Sequence, residues 1–157
     1  MLTAAVEEFA TPKQLDEIWT AQNYHDLHDK FMGPADTAAV NKAFFNALKP
    51  GGILLVIDHA ADSGSDLRDT ETLHRIDPTR MRKEIEAAGF VFEAKSDVLR
   101  NPNDNHKLLV FDPTVRGKTD QVVFKFRKPR TKIPKDTRAG LVSLDLSRSK
   151  WSQARAS

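Results

Sequence analysis

Two short clusters of ionisable side chains stand where candidate strands run out, and they set the chemistry open to this chain. The first is Asn23-Tyr24-His25-Asp26, just beyond Leu15 to Thr20; the second is Asp58-His59, which closes the run that starts at Leu48. His74, Arg75 and Asp77 can reach the same rim from a loop. A histidine beside carboxylates can take a proton from a nucleophile, so His25, Asp26, Asp58 and His59 are the candidate catalytic residues, for group transfer or for a hydrolase-type reaction. His25 and His28, with Asp58 or His59, also offer nitrogen and oxygen donors to zinc or another divalent ion, but a His-x-x-His spacing is not diagnostic and no metal is assigned. Structural roles compete with each of these. His25 can simply hydrogen-bond Asp58 or a carbonyl across the strand ends, Asp26 can cap the next segment, Asp58 and His59 can form a buried orienting pair, and His74 and Arg75 can anchor the long loop.

These groups meet only if a sheet carries them to one edge. Pro50 cannot continue a helix, Gly51 and Gly52 allow positive φ, and Ile53 to Ile57 is the continuous apolar run that a parallel sheet buries on both faces. Leu48 to Gly52 therefore reads as a helix end and a tight turn, followed by a strand. Upstream, Val40, Phe44, Ala47 and Leu48 recur at helical spacing behind the N-cap Asp36, which predicts an amphipathic helix over 36–48. Asp77-Pro78 opens a second helix with Met81, Ile85 and Ala88 as its stripe and Gly89 as its stop. Residues 90–98 read as a strand, Asn101 to Asn105 as a turn within a long polar segment, and 121–127 as a last strand with Val122, Phe124 and Phe126 on one face. The order is strand, helix, strand, helix, strand, long loop, strand. The last strand can lie antiparallel because a loop leads into it.

Composition bounds the rest. The 157 residues are 39% hydrophobic and 29% charged, with no cysteine, which excludes disulfides, thiolate metal sites and a cysteine nucleophile. No apolar run approaches the roughly 20 residues needed to cross a bilayer, so the expectation is a cytoplasmic protein with no membrane contact. The net charge of +2 conceals a split: residues 1–127 carry 16 Lys+Arg against 20 Asp+Glu, and residues 128–157 carry 8 against 2. Two units follow, an α/β domain over 1–128 and a basic, flexible extension over 129–157. Only Trp151 in that extension can stack on a base, so nucleic acid is not the expected partner.

The ordered motifs resemble the class I S-adenosylmethionine-dependent methyltransferases, in particular a group of predicted bacterial methyltransferases. The carriers are Asp16 through Leu27 (Asp-Glu-Ile-Trp-Thr-Ala-Gln-Asn-Tyr-His-Asp-Leu), Leu48 through His59, Leu73-His74-Arg75-Ile76-Asp77, Ala87-Ala88-Gly89-Phe90 and Arg116-Gly117-Lys118-Thr119-Asp120. They span about residues 5–129. The resemblance implies an α/β fold with residues 15–20, 53–58, 90–98 and 121–127 as the family's fourth, fifth, sixth and seventh strands, in the order four, five, seven, six, with the seventh antiparallel. It implies S-adenosylmethionine as cofactor, Asn23 and Tyr24 on the cofactor side, and His25 or Asp26 as the base that deprotonates an unknown small-molecule acceptor.

The family's glycine-rich loop after its first strand and its acidic residue after the second have no counterpart. Each strand-helix-strand unit needs about 30 residues, so three absent units amount to about 90. The expectation is the C-terminal half of a Rossmann-like methyltransferase sheet, with one wall of the cofactor crevice and weak or lost activity. A noncatalytic module that pairs with itself, or complements another chain, is the alternative. Without inner neighbours, Leu15 to Thr20 becomes an edge strand, and a homodimer through it is expected.

Overall fold

The computed structural model describes residues 6–30 and 35–130. Strand β1 (Leu15–Ala21) leads through a tight 3-10 turn (His25–His28) to α1 (Thr37–Ala47), and β2 (Leu48–His59) follows at once. A single helical turn, α2 (Thr70–Leu73), and α3 (Pro78–Ala87) precede β3 (Val91–Ser96); a long loop then leads to β4 (Gln121–Arg127). Most of the expected basic extension, residues 131–157 with Trp151, lies outside the described residues.

The four strands form one sheet in the order β1-β2-β4-β3, with β1 and β2 parallel and both pairings of β4 antiparallel. This is the expected α/β order. Ile18 stands opposite Leu54, Leu54 opposite Phe126, and Val56 opposite Phe124, so these side chains share one face of the sheet. That face is the core: Val40 and Phe44 of α1 and Met81 and Ile85 of α3 close over it. Burying an aliphatic or aromatic side chain of this size stabilises the fold by about 1.5–3 kcal/mol, so this single layer of contacts dominates the driving force.

Both helices start as their sequences dictate. The Asp36 carboxylate accepts the Ala39 N–H at 3.0 Å, and the Asp77 carboxylate accepts the Thr79 N–H at 2.7 Å with Pro78 in the first turn. Gly89 ends α3 at φ +108°, where an added Cβ would press on the Phe45 ring at 3.2 Å.

Three expectations are corrected. Strand β2 is buried on one face only, because α1 and α3 cover one side of the sheet: Leu54 and Val56 are fully buried while Ile53, Leu55 and Ile57 are half-buried. Leu48 to Gly52 is not a helix end and turn before the strand; the strand itself starts at Leu48, opposite Leu15, and an irregularity around Gly51 (φ +84°) brings Ile53 opposite Glu17. A Cβ on Gly52 would lie 2.9 Å from the Lys49 carbonyl, so the backbone folds back where only glycine fits. Strand β3 stops at Ser96, because Asp97 to Arg100 turns, with the Arg100 N–H donating to the Asp97 carbonyl at 3.0 Å.

The loop between β3 and β4 is pinned from beneath. Arg75 is fully buried; its guanidinium donates to both Asp104 carboxylate oxygens (2.9 and 3.2 Å), to the Ala60 carbonyl (3.0 Å) and to the Leu108 carbonyl (3.0 Å). Asp104 also accepts the Asp120 N–H at 2.7 Å. Arg75 thus anchors the loop.

Among the described residues nothing pairs with the outer edge of β1, and Trp19, 66% exposed, shares the open sheet face with Leu55. No helix among the described residues is long and apolar enough to cross a membrane.

Candidate functional site

The chain returns to the end of β2 after a short excursion, and this return builds the site. Ile76 runs beside Ala60 as a parallel bridge, with the Ile76 N–H donating to the His59 carbonyl and the Ala61 N–H to the Ile76 carbonyl, both at 3.0 Å. Two residues earlier His74 closes α2 in the left-handed region (φ +53°), which turns its ring toward the ends of β1 and β2 while Arg75 points into the core.

Asp58, at the end of β2 and fully buried, organises that rim. Its Oδ2 accepts the His25 backbone N–H at 2.8 Å, and its Oδ1 meets the His25 ring Nδ1 at 2.8 Å and the His59 N–H at 2.7 Å. With Nδ1–H donated to Asp58, Nε2 of His25 is left facing Asp26 Oδ1 at 3.1 Å and His74 Nδ1 at 3.3 Å. Burial pulls the His25 pKa down, but the hydrogen bond and charge of Asp58, with Asp26 and Asp29 behind it, outweigh burial and leave it above the ordinary value. His59 moves the other way: burial lowers it, and the neighbouring charge of His25 and Arg75 adds to that. Its ring lies 6.0 Å from that of His25, and Nδ1 is bonded to the Thr119 hydroxyl at 2.7 Å. The environments of two adjacent histidines are pushed apart.

His25, Asp26, His59 and His74 line a cleft of about 510 Å³ whose far wall is Val110 and Phe111. Three of the four candidate catalytic residues, His25, Asp26 and His59, thus line one cleft, and the fourth, Asp58, lies beneath them as the orienting group. The cofactor-side pair does not. Tyr24 is buried in the core, its hydroxyl accepting from the Asn41 amide at 2.7 Å and donating to Glu84 at 3.3 Å; Asn23 lies outside the cleft, its side-chain oxygen bonded to the Thr20 hydroxyl. His28 is also turned away, its Nε2 3.1 Å from Glu84 Oε2, so the His25–His28 ligand pair does not assemble. Burial alone would raise Glu84, but the hydrogen bonds from His28 and Arg80 hold it below the ordinary carboxylate value.

Of the three loop residues that the sequence allows at this rim, His74 reaches the cleft and faces His25, a placement that follows from the backbone turn after Leu73, whereas Arg75 anchors the loop and Asp77 caps α3. Asp29 is 1% exposed and lines the same cleft; its Oδ2 is 3.6 Å from His74 Nδ1 and its Oδ1 has no hydrogen-bond partner. It stands in a stretch without periodicity, and no signal marks it.

A parallel pair extended by an antiparallel strand lying between the second and third strands is the order expected from the family resemblance. No protein-family model matches the sequence, and no curated protein matches it significantly. Solved structures do match. The [4+2]-cyclase SpnF aligns with a TM-score of 0.56 at 15% identity, over 82% of this chain and 55% of that one. N-methyltransferase NodS from Bradyrhizobium japonicum WM9, in complex with S-adenosyl-L-homocysteine, gives 0.52 at 15% identity over 80% and 52%. The complex between the Haloferax volcanii Trm112 methyltransferase activator and the putative methyltransferase gives 0.54 at 11% identity over 83% and 61%. The chain spans little more than half the length of these structures, and the likeness is one of fold. That a cyclase is among them fits the rule that one fold hosts several chemistries.

The described residues do not fit S-adenosylmethionine by themselves. Tyr24 is inside the core, and apart from Val110 and Phe111 the cleft is lined by polar and ionisable groups, Gln22, Asp26, Asp29, Glu71 and three histidines. No two glycines in the sequence stand in a Gly-x-Gly spacing. No step is therefore derived through the cofactor.

Proposed function

We propose that this chain carries the acceptor side of a methyltransferase-type domain. A small-molecule nucleophile enters the cleft between His25, His74 and Phe111, and His25 Nε2 takes its proton while Asp58 holds the ring tautomer and orientation. The observation that carries this reading is the two-point grip of Asp58 on His25, ring and backbone both at 2.8 Å, at the carboxyl ends of two parallel strands where such folds place their ligands. On this reading the chain alone holds S-adenosylmethionine weakly or not at all, and methyl transfer by it alone is weak or lost.

Calorimetric titration with S-adenosylmethionine, paired with proton NMR of the histidine rings against a set of small phenols and amines, tests it. The expected result is no cofactor heat in the micromolar range, with phenol or amine binding that moves the His25 and His74 ring signals. Tight cofactor binding by the isolated chain, or nucleophiles that leave both rings unmoved, overturns the reading.

The outer edge of β1, which has no partner strand among the described residues, favours an association as well. Trp19 is largely exposed on that strand, and an edge of this kind is a template for a second strand. We propose that a second copy pairs there. Light scattering that gives a compact monomer at micromolar concentration removes this part of the proposal.

A further inference from the structure

Three atoms able to present a lone pair, His25 Nε2, His74 Nδ1 and Asp26 Oδ1, come together in the cleft, and their approach points to an occupant other than a substrate. Once Asp58 fixes the proton on Nδ1, the neutral His25 ring presents a bare lone pair at Nε2. That lone pair meets Asp26 Oδ1 at 3.1 Å and His74 Nδ1 at 3.3 Å, and Asp26 Oδ1 and His74 Nδ1 are 3.6 Å apart. Lone pairs converge in this way around a cation. Donors bound at about 2.0–2.2 Å to one tetrahedral ion stand roughly 3.3–3.6 Å from one another, close to the three separations seen here.

Asp29 is a second, independent observation. Its side chain is 2% exposed, one oxygen is unpartnered, and the other lies 3.6 Å from His74 Nδ1 on the side of the cleft. A buried carboxylate oxygen with no donor is costly unless something positive faces it.

We propose that His25 Nε2, His74 Nδ1 and the Asp26 carboxylate bind one divalent ion of the zinc class, with Asp29 as the fourth ligand or the acceptor of an ion-bound water. Asp58 then has the supporting part common in such centres: a carboxylate that takes the other ring N–H of a ligating histidine, setting its tautomer and raising its basicity. Two imidazole donors favour zinc or a later transition ion over magnesium, which demands an octahedron of oxygens. The inference goes beyond the acceptor-side reading and does not rest on it. Proton and ion compete for the same lone pair, so the ion-loaded cleft cannot use His25 as a base.

The test is calorimetry of the tag-free, chelator-treated full chain with zinc chloride, with magnesium chloride in parallel and metal content by mass spectrometry. One zinc ion per chain is expected, with no magnesium binding. Asp26→Asn and His74→Asn should each weaken zinc by about tenfold or more, a loss of the size seen on perturbing metal shells. Asparagine is chosen at His74 because it tolerates the left-handed backbone there, and circular dichroism checks that the fold is kept. Glu71→Gln, on the same cleft but outside the ligand set, should leave zinc affinity unchanged. No zinc binding, or binding that survives both ligand substitutions, overturns the proposal; neither result touches the nucleophile titration that tests the acceptor-side reading.

Discussion

Asp58 grips His25 twice, Oδ2 accepting its backbone N–H and Oδ1 its ring Nδ1–H, and with the His59 N–H also bound the carboxylate is fully engaged inside the protein. An amide in its place keeps one acceptor oxygen and turns an NH₂ toward N–H donors. Asp58→Asn should cost about 1.5–3 kcal/mol in urea unfolding, the range for hydrogen bonds to charged groups. Nitrogen NMR of the rings should show the Nδ1–H tautomer of His25 in the parent chain and its loss in the variant.

Arg75 and Asp104 form a pair with no exposed side-chain surface, and the pair ties the β3–β4 loop to the end of β2. Removing one partner strands a buried charge. Arg75→Met alone should destabilise by about 3–5 kcal/mol, whereas Arg75→Met with Asp104→Leu should recover a large part of that loss. Urea midpoints measure both, and limited proteolysis within residues 97–120 should quicken in the single variant.

The same loop sets an acid limit. Burial would raise Asp104 and Asp120, but hydrogen bonds outweigh it in both: from the Asp120 and His106 N–H groups and Arg75 for Asp104, from the Asn101 N–H, Arg100 and His106 for Asp120. Both folded pKa values therefore lie below the ordinary 3.8. A carboxylate depressed in the folded state contributes stability that is full above its unfolded pKa and fades as pH falls through the folded one. Urea unfolding from pH 7 downward should show this contribution intact above about pH 5 and declining below about pH 4. Asp120→Asn should flatten that decline.

Trp19 offers a test of association that leaves the core alone. Trp19→Lys sets a charge on the free edge of β1, where the parent side chain is exposed. Monomer stability should change by no more than about 0.5 kcal/mol. Light scattering should show the proposed dimer in the parent chain and a monomer in the variant.

Much of this architecture was legible. The Gly51-Gly52 pair, the apolar run after it and the terminal Asp58 are enough to place the body of β2, though not its start at Leu48, and Asp77-Pro78 marks the start of α3 to the residue. The antiparallel last strand followed from a loop, rather than a helix, leading into it. Orientation around the tight turn was not legible. Successive side chains there rotate by about 120°, so Tyr24 goes to the core and Glu84 while His25, its neighbour, goes to Asp58. A contact such as His25 to His74 depends on where a left-handed residue sends the chain, and no periodicity encodes it. The coverage of β2 likewise depends on how many helices pack on each side, which a single apolar run cannot report.

The position of β4 carries a consequence for how the molecule assembles. Among the described residues it is the last strand in sequence, yet it is wedged between β2 and β3, and β3 has no other strand neighbour there. During synthesis β1, α1 and β2 can settle together early, while β3 must wait with both borders unzipped until Arg127 has emerged and its strand slots into the gap. A nascent chain halted before Gln121 would leave β3 without the strand that joins it to β2, two fragments of architecture rather than a slightly smaller protein.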